Sequence, residues 1–286
     1  MHRSTIDLAL KLTVKTLSAV SPQGERVILK LTEQHEVKVL RRLHGNPPTE
    51  QTRIIPLLDV IDGRLLVLPL RMPLLIFNLS GDDAGVLAVQ FLEGVAYLQR
   101  SSVAHLDLKP DNIVVQRDPK SKEVDLAIID FNTSVFADTE PTISKSSGTL
   151  GWCAPEVLAG KPYNPLLADR WSCGRVLTFF TDRMKPGPLR ETMYSLSQRL
   201  MNPDPSLRPS ISNWYPQKRR GTPKPLIRPI ASDLDGAPEP RSSKRLKGSR
   251  LQLKWRLGVD AKEKEEVKRM RKSVQPGSRR VSQRVV

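Results

Sequence analysis

The stretch His105-Leu106-Asp107-Leu108-Lys109-Pro110-Asp111-Asn112 places a carboxylate, an amine and a carboxamide within six residues, Asp107 to Asn112. Taken alone it is a weak signal, because Asp111-Asn112 also reads as an ordinary turn. Four further segments follow it along the chain. They are Asp130-Phe131-Asn132, then Gly148-Thr149 leading to Ala154-Pro155-Glu156, then Asp169-Arg170-Trp171-Ser172-Cys173-Gly174, and finally Leu207-Arg208-Pro209-Ser210. Each has a plain reading of its own: Asp130 as a strand-ending carboxylate, Trp171 as core, Arg208-Pro209 as a loop cap. The information lies in their number and order.

The chain before this stretch reads as β-rich. Met1 to Leu17 alternates apolar and polar residues, Ser21-Pro22-Gln23-Gly24 supplies a turn, and Arg26 to Leu31 is a short β-branched run. Glu33 to Leu43 has helical spacing. Ile54 to Ile61 and Leu65 to Leu70 are apolar runs parted by Asp62-Gly63, which predicts a hairpin. Ala84, Leu87, Ala88, Phe91, Leu92 and Val95 fall at helical steps, predicting a long helix ending near Arg100. Ile113 to Val115 and Ala127 to Ile129 are short apolar runs, and Leu166 to Phe180 reads as a buried helix. Strands first and helices later predict an α+β protein in two lobes.

The five segments, in this order, resemble the signatures of the eukaryotic-type serine/threonine protein kinase family, in a divergent, N-terminally shortened form similar to short fungal members. The resemblance runs from about Gly24 to about Trp214. It implies a two-lobed fold with a reduced N-lobe β-sheet and a mostly helical C-lobe. The expected division is 1–70 for the N-lobe, 71–215 for the C-lobe and 216–286 for a basic tail. It further implies transfer of the ATP γ-phosphate to Ser or Thr of a protein substrate, with ATP and Mg²⁺ as cofactors. Such chemistry leaves the protein mostly positioning and charge stabilisation to do. By resemblance, Asp107 orients the substrate hydroxyl and Lys109 steadies the transferring phosphate, braced by Thr149. Asn112 and Asp130 hold Mg²⁺, a hard cation that prefers oxygen. Val27-Ile28-Leu29-Lys30 matches the family's V-A-I-K, so Lys30 would contact the phosphates with Glu36 as its helix partner. Leu68, Leu70 and Val114 line the adenine side, while His105, Phe131 and Leu40 stack as an apolar spine. Asp169 anchors the catalytic loop, and Glu156 pairs with Arg208 in the C-lobe.

Several residues depart from that pattern. Gly24 is the only glycine before Lys30, so no Gly-rich loop covers the phosphates. Lys30 and Glu36 stand only six apart, which requires a helix without its first turns. Asn132 replaces the glycine after Asp-Phe, an exchange eased by the tolerance of Asn for positive φ. Ile28 narrows the adenine site where a small residue is usual, and little chain is left for helices between Phe180 and Leu207. Leu106 replaces an arginine that would greet a phosphorylated segment. That loss is compatible with activity and predicts that phosphorylation is not the switch, whereas the missing Gly-rich loop and Asn132 carry the alternative reading, a pseudokinase acting as a binding or scaffold domain.

Composition adds partners and compartment. The net charge is +16, but 216–286 holds 21 Lys+Arg against 7 Asp+Glu and the remainder is close to neutral. A proline-rich, apolar-poor tail of this kind predicts disorder and binding to polyanions or import factors, with a marginal helix over Asp260 to Lys272. Trp255 is the tail's only aromatic after Tyr215, so no base-stacking platform is expected. No apolar run is long enough to span a bilayer, which predicts no membrane partner. Two cysteines cannot frame a disulfide scaffold, which predicts an intracellular protein, cytoplasmic and/or nuclear.

Overall fold

The computed structural model describes residues 16–21, 24–45 and 52–212. The alternating start up to Lys15 and the basic tail from Pro216 lie outside the described residues, as does the helix expected over Asp260 to Lys272.

Strands β1 (Thr16–Val20), β2 (Arg26–Leu31), β3 (Asp59–Ile61) and β4 (Leu65–Pro69) form one antiparallel sheet in the order β1-β2-β4-β3. Alternation along β2 sorts its side chains between two faces. Val27 and Leu29 join Ala19 and Val67 in a small outer cluster. Ile28 turns toward the main core, and Lys30 lies on the same face by period. Helix α1 (Gln34–His44) follows β2 with only Thr32-Glu33 between them. One turn apart on its buried stripe sit Glu36 and Leu40. Asp62 and Gly63, at φ 50 and 74, make the left-handed turn that joins β3 to β4. The sequence expectation of a strand from Ile54 is corrected: only Asp59–Ile61 pairs with β4. Ile54 instead bridges to Ile128, because its backbone is drawn to a different sheet.

The helical part is organised around α2 (Gly81–Arg100), whose inner faces carry Leu87, Phe91, Val95 and Leu98 without exposure. It starts earlier than Ala84 because Ser80 and Asp83 form a reciprocal capping box, which satisfies orphan N–H groups at the first turn. Strands β5 (Met72–Pro73), β7 (Ile113–Arg117) and β8 (Val124–Ile128) form a second sheet, and β6 (Val103–Ala104) pairs with β9 (Val135–Phe136). Buried Gln90 donates to Val124 O at 2.9 Å and accepts from Leu126 N at 2.8 Å, so α2 closes the outer edge of β8. Beyond come α3 (Pro155–Leu158), α4 (Pro165–Thr181) and α5 (Pro188–Leu200). Helices α4 and α5 touch closely at Gly174, where a Cβ would lie 2.7 Å from Ser197 O. One apolar core, from Leu40 and Leu66 through α2 to Phe131 and Phe180, runs continuously across both lobes.

Candidate active site

The β7–β8 hairpin brings the first two groups together. Asn112 precedes β7 and Asp130 follows β8, and antiparallel pairing sets these chain-distant residues side by side, with Ile129 N donating to Asn112 O at 3.0 Å. Buried Asn112 donates its amide to Asp107 O at 2.8 Å and to Asp107 Oδ2 at 3.0 Å. Lys109 Nζ lies 2.8 Å from Asp107 Oδ2 and donates to Thr149 Oγ1 at 2.6 Å. Thr149 in turn donates to Asp107 Oδ1 at 2.7 Å. Both oxygens of Asp107 are thus directed by neighbours from two separate chain segments.

That loop hangs from α4. Asp169, fully buried, accepts from His105 N at 2.5 Å and Leu106 N at 2.8 Å. Burial pushes its carboxyl up to about 7, and the two backbone N–H groups pull the other way by favouring the charged form. These donors fix Leu106 at φ 64, an unfavourable backbone for a leucine, while its side chain fills a small apolar cluster with Ile143, Ala154 and Tyr163. The segment opposite comes so close that a Cβ on Gly148 would meet Leu106 O at 2.7 Å, so only glycine fits there. His105 donates Nε2–H to Ile129 O at 3.0 Å, and its ring packs 4.9 Å from that of Phe131. Burial holds His105 below the ordinary imidazole value, only partly offset by the Ile129 carbonyl and three carboxylates.

From the sheet side, Lys30 Nζ sits 2.8 Å from Glu36 Oε1 and 2.9 Å from Asp130 Oδ1. Glu36 Oε1 also accepts from Phe131 N at 3.0 Å. The short Lys30–Glu36 spacing works because the connection of two residues puts Glu36 in the first helical turn. Burial pushes the Asp130 carboxyl up, but Lys30, His105 and Asn132 outweigh it and hold the group below the ordinary aspartate value. Leu68 on β4 and Val114 on β7 are buried on strands either side of the connection, with Leu70 between β4 and β5. Away from this cluster, fully buried Arg208 meets Glu156 through both its terminal nitrogens, at 2.6 and 2.8 Å. Removing one partner of such a pair costs about 3–5 kcal/mol.

The positive φ expected at Asn132 is corrected by the backbone. Asn132 does not take positive φ; the left-handed residue is Asp130, at φ 68. Asn132 instead uses its side chain, donating to Asp130 Oδ1 at 2.8 Å and facing Thr32 Oγ1 at 2.8 Å. Thr32 also bonds Glu36 Oε2. Nor did the sequence point to the contacts that tie α1 to the segment after Asp130. His35 Nε2 donates to Ser134 O at 2.6 Å, and Arg42 forks onto Asp138 at 3.2 and 2.6 Å while its guanidinium lies over Phe136. Arg53 reaches both Glu93 and Asp125, a pairing that no local spacing reveals.

The donor set suits a hard cation shared with a ligand. Among the described residues no hydrogen bond engages Asp130 Oδ2 or Asn112 Oδ1, and no group of three or more His, Cys, Asp or Glu could hold a metal unaided. Two protein oxygens with phosphate completing the shell is the arrangement expected for Mg²⁺.

A protein kinase domain model matches residues 49–188. The chain is 31% identical over 156 residues to SNF1-related protein kinase catalytic subunit alpha KIN12 of Arabidopsis thaliana, covering 47% of this chain and 30% of that one. It is 32% identical over 185 residues to serine/threonine-protein kinase ppk8 of Schizosaccharomyces pombe, covering 59% and 35%. Human calcium/calmodulin-dependent protein kinase type IV is 37% identical over 100 residues, covering 35% and 20%. The matched part spans about a third or less of these relatives' own lengths.

Proposed function

We propose that this chain, which belongs to the eukaryotic-type serine/threonine protein kinase family, transfers the γ-phosphate of ATP to a serine or threonine hydroxyl of a protein substrate. The observation that carries this reading is Lys30 standing between Glu36 and Asp130 at 2.8 and 2.9 Å, while Asp107, Lys109 and Thr149 close a second polar triangle.

Each group has a defined task in that reading. Asp107, its two oxygens directed by Thr149 and Asn112, accepts the hydrogen bond of the incoming hydroxyl and orients its lone pair. Lys109 neutralises negative charge on the moving phosphoryl group, and its bond to Thr149 keeps the ammonium from swinging out. Lys30, oriented by Glu36, positions the non-transferred phosphates. Asp130 and Asn112 would hold Mg²⁺, which when bound neutralises charge on the phosphate oxygens. Leu68, Leu70 and Val114 offer an apolar seat for the adenine, narrowed by Ile28.

The test is Asp107→Asn in the full chain, assayed by radiolabelled transfer to a generic basic protein and by thermal shift with Mg-ATP. Transfer should fall by about 10²-fold or more while the thermal shift stays. A wild type that shows the shift without transfer would favour the scaffold reading, and transfer undiminished in Asp107→Asn would refute the assignment. Protein substrates and an intracellular setting go with the reading. Among the described residues no helix is long and apolar enough to cross a membrane.

A further inference from the structure

Asp130 must present an oxygen to a cation from a backbone at φ 68, and a carboxylate is free to rotate about its last bond. Two donors remove that freedom here. Lys30 Nζ at 2.9 Å and Asn132 Nδ2 at 2.8 Å both bind Oδ1, leaving Oδ2 without a hydrogen-bond partner among the described residues. A glycine at 132 could supply no such contact.

Asn132 is itself held from the sheet side. The Thr32 hydroxyl lies 2.8 Å from Asn132 Oδ1 and within reach of Glu36 Oε2. Its single proton faces two acceptors, of which the charged carboxylate is the stronger, so the contact is shared between three centres. Glu36 closes the ring through Lys30 and through Phe131 N. Thr32, Glu36, Lys30, Asp130 and Asn132 therefore make one loop of polar contacts that joins the β2–α1 connection to the segment after β8.

We infer that Asn132 is a positioning residue for Asp130, with Thr32 as its brace, so that the exchange of glycine for asparagine sets the cation-facing oxygen of Asp130. The inference rests on the kinase reading for what Asp130 binds, and it reverses the significance of Asn132, which becomes part of the working site. It also accounts for the tight Lys30-to-Glu36 spacing: with α1 beginning at Gln34, a side chain of the connection itself is close enough to brace the far segment.

The experiment titrates Mg²⁺ against full chain holding a non-hydrolysable ATP analogue and reads the melting temperature. In Asn132→Ala the Mg²⁺ concentration giving half the shift should rise about tenfold, as for other residues that support a metal ligand. Metal-free binding of the analogue should be unchanged. Thr32→Val, which keeps the shape and loses the hydroxyl, should move the same way, and Thr32→Ser should restore wild-type behaviour. Without any ligand, the Phe131 amide should exchange hydrogen faster in Asn132→Ala than in wild type. An unshifted Mg²⁺ titration in a folded Asn132→Ala overturns the inference. So does Thr32→Val behaving like Thr32→Ser, which decides the matter should Asn132→Ala fail to fold. A wild type with no Mg²⁺-dependent shift overturns it too. Failure of the kinase reading looks different: no transfer by wild type, yet a Mg²⁺ titration that still responds to Asn132→Ala.

Discussion

At the end of α1, His44 donates Nε2–H to the carbonyl of Ile55 at 2.9 Å and is largely enclosed. A cation there would gain from the helix dipole. Burial nevertheless dominates and holds the imidazole below its ordinary 6.5, with the Ile55 carbonyl opposing only in part. The folded value therefore lies below the unfolded one. Stability from this group is complete above the unfolded value and is lost as pH falls from there through the depressed folded value, because the unfolded chain takes up the proton first. His44→Gln keeps a donor for Ile55 and cannot titrate. Urea unfolding at several pH values between about 5 and 8 should show the wild type losing stability relative to His44→Gln on the acid side. A difference independent of pH would show that folding leaves the His44 imidazole unshifted. Comparison with this variant also cancels Asp169, whose raised carboxyl acts in the opposite direction over an overlapping range.

The segment between β9 and α3 is anchored by shape. Ile143 and Tyr163 exchange backbone hydrogen bonds at 3.0 and 2.9 Å, and Leu106 completes the apolar cluster beneath them. No guanidinium occupies the position of Leu106 to receive a phosphate, although Ser144, Ser146, Ser147 and Thr149 all lie on this segment. Phosphatase treatment of the purified protein should leave transfer activity unchanged, and a large loss would show that phosphate orders the segment. Leu106→Arg should lower stability by on the order of 2 kcal/mol or more, because its charge would enter the apolar cluster formed with Ile143, Ala154 and Tyr163. Thermal melting measures that loss directly.

Over the whole molecule, the body is nearly neutral and the basic excess is concentrated in 216–286. Binding to nucleic acid or other polyanions through Lys218-Arg219-Arg220 and Lys268-Arg269-Met270-Arg271-Lys272 should be sequence-independent and weaken steeply with salt. Deleting 216–286 should abolish it while the melting transition of the body persists; binding that survives would locate it on the body. Element types were largely legible in the sequence because helical and strand periods are local properties. The runs at Arg26 to Leu31, Glu33 to Leu43 and Leu166 to Phe180 became β2, α1 and α4 with small shifts at their ends. Ile54 misled because an apolar run does not say which sheet will claim its backbone. The residue types of the candidate site could also be read, since Asp107, Lys109 and Asn112 fall in one short stretch and Asp130 opens the next motif along the chain. What the tertiary structure alone decided are contacts across long stretches of chain: Lys30 with Asp130, Thr32 with Asn132, Arg53 with Asp125. Each depends on how a hairpin and a helix are brought together by a buried apolar core. A polar side chain in a sequence shows what it can bond, and only packing determines which partner lies within 3 Å.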